Sequence, residues 1–152
     1  MQVRIILVLI FAFAIFGCNA GNVKDSSVSN VKSDEISVVP DSKVIAIIEI
    51  SDGKISSVKA GSGDADAVDE GTIAFSLSEM DENGMMLSLQ STLGVTVKFD
   101  IEMVDYRGKR HYTSSCPIMP GRRLLEIWWH KIPELKISNF RVLSDTSNMA
   151  CE

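Results

Sequence analysis

The stretch VTVKFDIEM, residues 95–103, decides the fold. Val95, Val97, Phe99, Ile101 and Met103 hold the odd positions, and Thr96, Lys98, Asp100 and Glu102 the even ones. Successive side chains of a strand point to opposite faces, so this order gives one apolar face and one polar face. Wound into a helix, the same residues would scatter their charges through the apolar side. The stretch predicts a half-buried β-strand.

The period of two continues outward in both directions. Upstream, Met85, Leu87 and Leu89 alternate with Met86, Ser88 and Gln90, and Ile73, Phe75 and Leu77 alternate with Ala74, Ser76 and Ser78. Asn83-Gly84 between those runs reads as a type I′ hairpin turn. Val44 to Ile50 is apolar on both faces at its start, as in a buried central strand. Ser51-Asp52-Gly53 then signals a turn, and Lys54 to Lys59 a more polar return strand. Downstream, the Gly108 turn within Asp105–Lys109 leads into Arg110–Ser115, and Pro117, Pro120 and Gly121 break the chain. Leu124–His130 and Leu135–Leu143 follow, separated by Lys131-Ile132-Pro133. The expectation is an all-β fold: an antiparallel β-sandwich of about 7–8 strands over residues 43–152, immunoglobulin-like or fibronectin-like in architecture. A small closed barrel is the alternative, and the pattern leaves strand order open.

Ahead of residue 43 the composition changes. Residues 18–42 are rich in Ser, Asn, Asp, Lys and Val, lack aromatics, and read as a flexible linker spanning about 25–30 Å. Ile36–Val39 has the character of a short edge strand, limited by Pro40. Residues 1–17 have the layout of a secretion signal: Arg4, an unbroken apolar run from Ile5 to Phe16, then Gly17. That run is too short for a spanning helix, which needs about 20 residues.

Ile15-Phe16-Gly17-Cys18 resembles the lipobox of bacterial lipoproteins. The resemblance implies cleavage before Cys18, acylation of the Cys18 thiol, and anchoring by several acyl chains. Phe16 departs from the family's usual small or aliphatic residue. Asn19 is not the Asp that favours inner-membrane retention in the enterobacterial version. The resemblance thus implies a cell-envelope address, at the outer membrane facing the periplasm or at the cell surface. It covers the leader alone.

The chain has 152 residues and a net charge of −5. An acidic chain argues against nucleic acid as a partner, because phosphate binding needs clustered Lys and Arg. It also leaves the lipid as the means of membrane attachment. With Cys18 acylated, Cys116 and Cys151 are the two thiols left to pair in an oxidising compartment. Such a bridge would contribute ~3–4 kcal/mol.

Candidate chemistry is sparse. Asp64, Asp66, Asp69 and Glu70 share a Gly-flanked loop but lack EF-hand spacing, so a solvated acidic loop is the expectation. His111, Cys116 and His130 match no common zinc signature. Ser114 and Ser115 near His111 do not form a triad pattern, and no nucleophile elbow or phosphate loop occurs. No metal and no cofactor is expected, and no catalytic residue is assigned. In Leu124–His130, parity groups Leu125, Ile127 and Trp129 as core and Glu126, Trp128 and His130 as solvent-facing. Trp128, with Glu126, His130, Arg122 and Arg123, is therefore the candidate partner-binding surface; the alternative is a Trp128 covered by a loop or by the C-terminal tail. The expected role is a non-catalytic, lipid-anchored envelope protein whose sandwich binds a protein or other envelope component. The alternative is an envelope enzyme acting on peptidoglycan or glycans, which requires His111, His130 and a carboxylate to converge in one cleft.

Overall fold

The structure, a computed structural model, describes residues 35–61, 69–144 and 149–151. Nine strands run through them: β1 (Ile36–Val38), β2 (Ser42–Ser51), β3 (Lys54–Gly61), β4 (Thr72–Glu79), β5 (Met85–Ser91), β6 (Val97–Val104), β7 (Arg110–Thr113), β8 (Arg123–Trp128) and β9 (Glu134–Val142). They form two antiparallel sheets, in the orders β1-β9-β6-β7 and β3-β2-β4-β5-β8. The chain is the all-β sandwich that alternation predicts, and the order joins its first strand to its last.

The core lies between the sheets. Ile73, Phe75 and Leu77 of β4 and Met85, Leu87 and Leu89 of β5 are fully buried, as are Val97, Phe99 and Ile101 of β6. Phe75 meets Phe99 edge-on, with ring centroids 5.6 Å apart, and Phe140 of β9 packs against both. This cluster joins the two sheets through one aromatic from the five-stranded sheet and two from the other. Edge-to-face pairs add about 0.5–1.5 kcal/mol each beyond the area they bury.

Three expectations need correction. The sandwich begins before residue 43: Ile36 and Val38 are core residues and pair with Ile137 and Leu135. The end of the expected linker is therefore β1, because two apolar residues at strand spacing outweigh their polar neighbours. Pro40 and Asp41 then pass the chain to the other sheet, with the Asp41 N–H donating to the Leu77 carbonyl at 2.8 Å. Second, β2 is buried on both faces only at its start, where Ile45 is covered as well as Ala46; further on Ile48 faces the core while Ile47 is 44% exposed. Third, the β4–β5 connection is a five-residue loop around a 3-10 turn at Asp81–Asn83, not a two-residue type I′ turn. Asn83 takes a positive φ of 69°, but Gly84 sits at −75°. Gly84 serves close approach instead: a Cβ there would lie 3.3 Å from the Met80 Cβ and 3.4 Å from the Trp128 carbonyl oxygen. The loop thereby presses against the end of β8.

β9 carries a bulge. Lys98 pairs with Arg141 but Asp100 pairs with Ser138, so Asn139 and Phe140 together oppose Phe99. Asn139 absorbs the extra residue at φ 53°, and its Nδ2 donates to the Asp100 carboxylate at 2.7 Å. Two residues against one is the bulge geometry. Inward parity passes from Leu135 and Ile137 to Phe140, which brings the third aromatic into the core.

Candidate functional site

The turn between β6 and β7 is built by one carboxylate. Asp105 Oδ1 accepts the backbone N–H of Arg107 at 2.8 Å and of Lys109 at 2.9 Å. Its other oxygen, Oδ2, lies 3.2 Å from His111 Nε2 on β7. The Lys109 N–H first, and then His111, hold this carboxyl below its ordinary range. The left-handed φ of Gly108, 78°, lets the turn close.

Opposite this turn runs the β8–β9 connection, residues 129–133. Ile132 is buried and His130 exposed, and Lys131 makes an ion pair with Glu79. Between them lies a cleft of about 360 Å³ lined by Met103, Val104, Tyr106, Ile132 and Pro133, with Asp105, His111, His130 and Lys131 as its polar groups. Tyr106 is 81% exposed. A mostly apolar recess with a few convergent polar groups is the usual composition of a binding pocket. His111, His130 and a carboxylate thus line one cleft, which the enzyme alternative requires. Of His111, His130 and the carboxylate, only Asp105 and His111 are in hydrogen-bond contact with each other among the described residues. Ser115 is not part of it: its buried hydroxyl donates to the Phe99 carbonyl.

The candidate surface on β8 needs its parity reversed. β8 pairs with β5 so that Trp128, Glu126 and Leu124 lie opposite Met85, Leu87 and Leu89, which are all core residues. Paired residues share a face, so Glu126 and Trp128 point inward. Trp128 packs on the core and its Nε1–H donates to Thr113 Oγ1 at 3.2 Å. Glu126 Oε1 accepts the Cys116 N–H at 3.2 Å; burial pushes its carboxyl above the ordinary range, and that N–H offsets part of the push. The outward set is Leu125 (56% exposed), Ile127 (45%) and Trp129 (75%), the three expected to be core. Polarity misled the assignment, because a sandwich rim tolerates a carboxylate that finds a donor. Arg122, Arg123 and His130 are exposed as expected, and neither arginine makes an ion pair among the described residues.

The outer face of the four-stranded sheet differs in character. Arg110 makes two bonds to Glu35, at 2.7 and 3.0 Å, and one to Glu102 at 3.2 Å. Lys136 pairs with Glu134 at 2.7 Å, and Arg141 with Asp100 at 2.9 Å. That face is a mesh of matched charges.

Cys116 and Cys151 are disulfide-bonded, tying residues 149–151 to the body, and Lys98 Nζ donates to the Ala150 carbonyl at 3.1 Å. An oxidised Cys116 is no zinc ligand. Among the described residues no three His, Cys, Asp or Glu side chains are grouped to hold a metal. Asp69 and Glu70 are exposed. Asp64, Asp66, Cys18 and the leader lie outside the described residues. Tyr106, Leu125, Ile127 and Trp129 are the site residues that sequence reasoning missed. The signal for the last three was the apolar parity of β5, which dictates that of its neighbour. Comparison with protein-family models, with curated proteins and with solved structures finds no match.

Proposed function

We propose that this chain is a non-catalytic, lipid-anchored protein of the cell envelope whose sandwich holds another envelope component in the cleft between the β6–β7 turn and the β8–β9 connection. The observation that carries this reading is the cleft itself, an apolar recess of about 360 Å³ with the exposed Tyr106 ring among its lining. Accessible aromatic side chains beside apolar recesses are the anchors on which recognition energy concentrates. The lipobox resemblance at Ile15–Cys18 supplies the address. The Cys116–Cys151 bond suits an oxidising compartment. The test is photo-cross-linking of the full chain in intact cells. A photoreactive residue in place of Tyr106 should give a discrete adduct with an envelope component, and one in place of Ile47 should not. No adduct at Tyr106, or equal labelling at both positions, overturns the reading.

The second reading, an enzyme acting on peptidoglycan or glycans, is favoured by one observation: the Asp105–His111 pair and His130 line the same cleft. A carboxylate orienting a histidine is the arrangement of a general base. Release of soluble fragments from purified cell-wall glycan, abolished by His111→Ala, would support it; no release by the unaltered chain would remove it.

A further inference from the structure

We infer that β8 is a self-association edge: two copies of this chain pair their β8 strands antiparallel about a two-fold axis through Ile127, joining their five-stranded sheets into one. The inference goes beyond the cleft reading and does not depend on it.

An open sheet edge presents unpaired backbone N–H and C=O groups, and folded proteins blunt such edges with short strands, charges, bulges or proline. Among the described residues, three of the four edges are blunted more strongly than the fourth. β1 has three residues and is followed closely by Pro40. β7 has four residues, and its Arg110 sits in the ion-pair mesh. β3 carries Lys54 and Lys59 and faces a register shift at Glu49/Ile50. β8 is blunted least: of these devices it carries only two charges, Arg123 at its start and the inward-turned Glu126. It runs six residues without proline, glycine, lysine or bulge, and no strand pairs with its far edge among the described residues. On its outer face stand Leu125, Ile127 and, one residue past the strand, Trp129, all exposed.

The occupant is argued from self-complementarity. Paired residues share a face, so a two-fold ladder of one strand with itself must be centred on a residue. Centring on Glu126 sets two carboxylates against each other, which is unfavourable. Centring on Leu125 leaves Trp129 opposite Gly121, with nothing to pack on. Centring on Ile127 sets Ile127 against its mate and Leu125 against Trp129 of the second copy, twice. Each exposed apolar side chain then meets an apolar partner. On the inner face Glu126 meets Trp128. An isologous two-fold contact is the commonest oligomeric arrangement.

The test is oxidative cross-linking of the full chain, read by non-reducing electrophoresis. Ile127→Cys meets its own mate on the axis and should migrate at about twice the mass of the single chain. Leu125→Cys alone should stay monomeric, whereas Leu125→Cys/Trp129→Cys should cross-link. Ile47→Cys, about as exposed on the opposite part of the same face, should stay monomeric and measures random collision. An Ile127→Cys chain that remains monomeric, or cross-links no more than Ile47→Cys, overturns the inference. That result would leave the Tyr106 photo-adduct, and with it the cleft reading, untouched.

Discussion

Glu126 and Asp100 are two carboxylates whose surroundings push them in opposite directions. Asp100 loses hydration, but hydrogen bonds from Asn139 and Arg141 more than compensate, so its carboxyl is held below the ordinary range. A depressed carboxylate stabilises the fold above its unfolded pKa, and that stability is lost as pH falls through the folded pKa. Glu126 has burial as its main influence and a single N–H in return, so its carboxyl is raised. The sign reverses: stability falls as pH rises from the ordinary carboxylate range through the raised value, where folding forces the group to ionise in a poor medium. Glu126→Gln keeps an acceptor for the Cys116 N–H and removes the charge. We expect the variant to melt higher than the unaltered chain at pH 7 and to lose that advantage as pH falls toward about 4, the ordinary carboxylate range. Thermal melts across that interval check it; an equal gain at both ends would place the effect elsewhere than ionisation.

At the level of strands, alternation was readable wherever a strand stayed regular. β4, β5 and β6 bury the residues that their sequences point inward, because their inner faces carry large apolar side chains at every second position. Two features hid from that pattern for physical reasons. In β9 the bulge at Asn139 changes parity midway, and nothing in Ile137-Ser138-Asn139-Phe140 marks it except an asparagine, a residue tolerated at left-handed φ. In β8 both parities contain bulky apolar residues, so the choice of face falls to the neighbour β5, which the sequence of β8 does not show. The cleft was half legible. His111, His130 and the Gly108 turn are visible in the chain, but their convergence depends on β7 and the β8–β9 connection meeting at one end of the sandwich. The bulge also makes a prediction. A β-branched residue fits poorly at φ 53°, so Asn139→Val should cost about 1–3 kcal/mol, measured by urea unfolding. A neutral result would mean that the strand pairs without its bulge.

For the molecule as a whole, a core spread over two sheets is closed at one side by a covalent tie. Cys116 sits on the segment between β7 and β8, beside Glu126, and Cys151 reaches it from the C-terminal end. Opening that tie by Cys151→Ser should lower unfolding stability by about 3 kcal/mol while leaving the far-ultraviolet spectrum of the sheets unchanged. An unaltered unfolding midpoint would show that the tie adds nothing to the body. Whether the tie forms in cells depends on export, which the proposed reading assigns to the first eighteen residues. The proposed role depends on the same address, since a cytoplasmic chain would meet neither the oxidising compartment nor an envelope partner. Intact-mass spectrometry of the protein purified from its native membrane tests this directly. The account predicts a chain that starts at Cys18, carries fatty acyl groups there, and contains one internal disulfide. A chain that retains residues 1–17, with a bare Cys18 thiol, would contradict it.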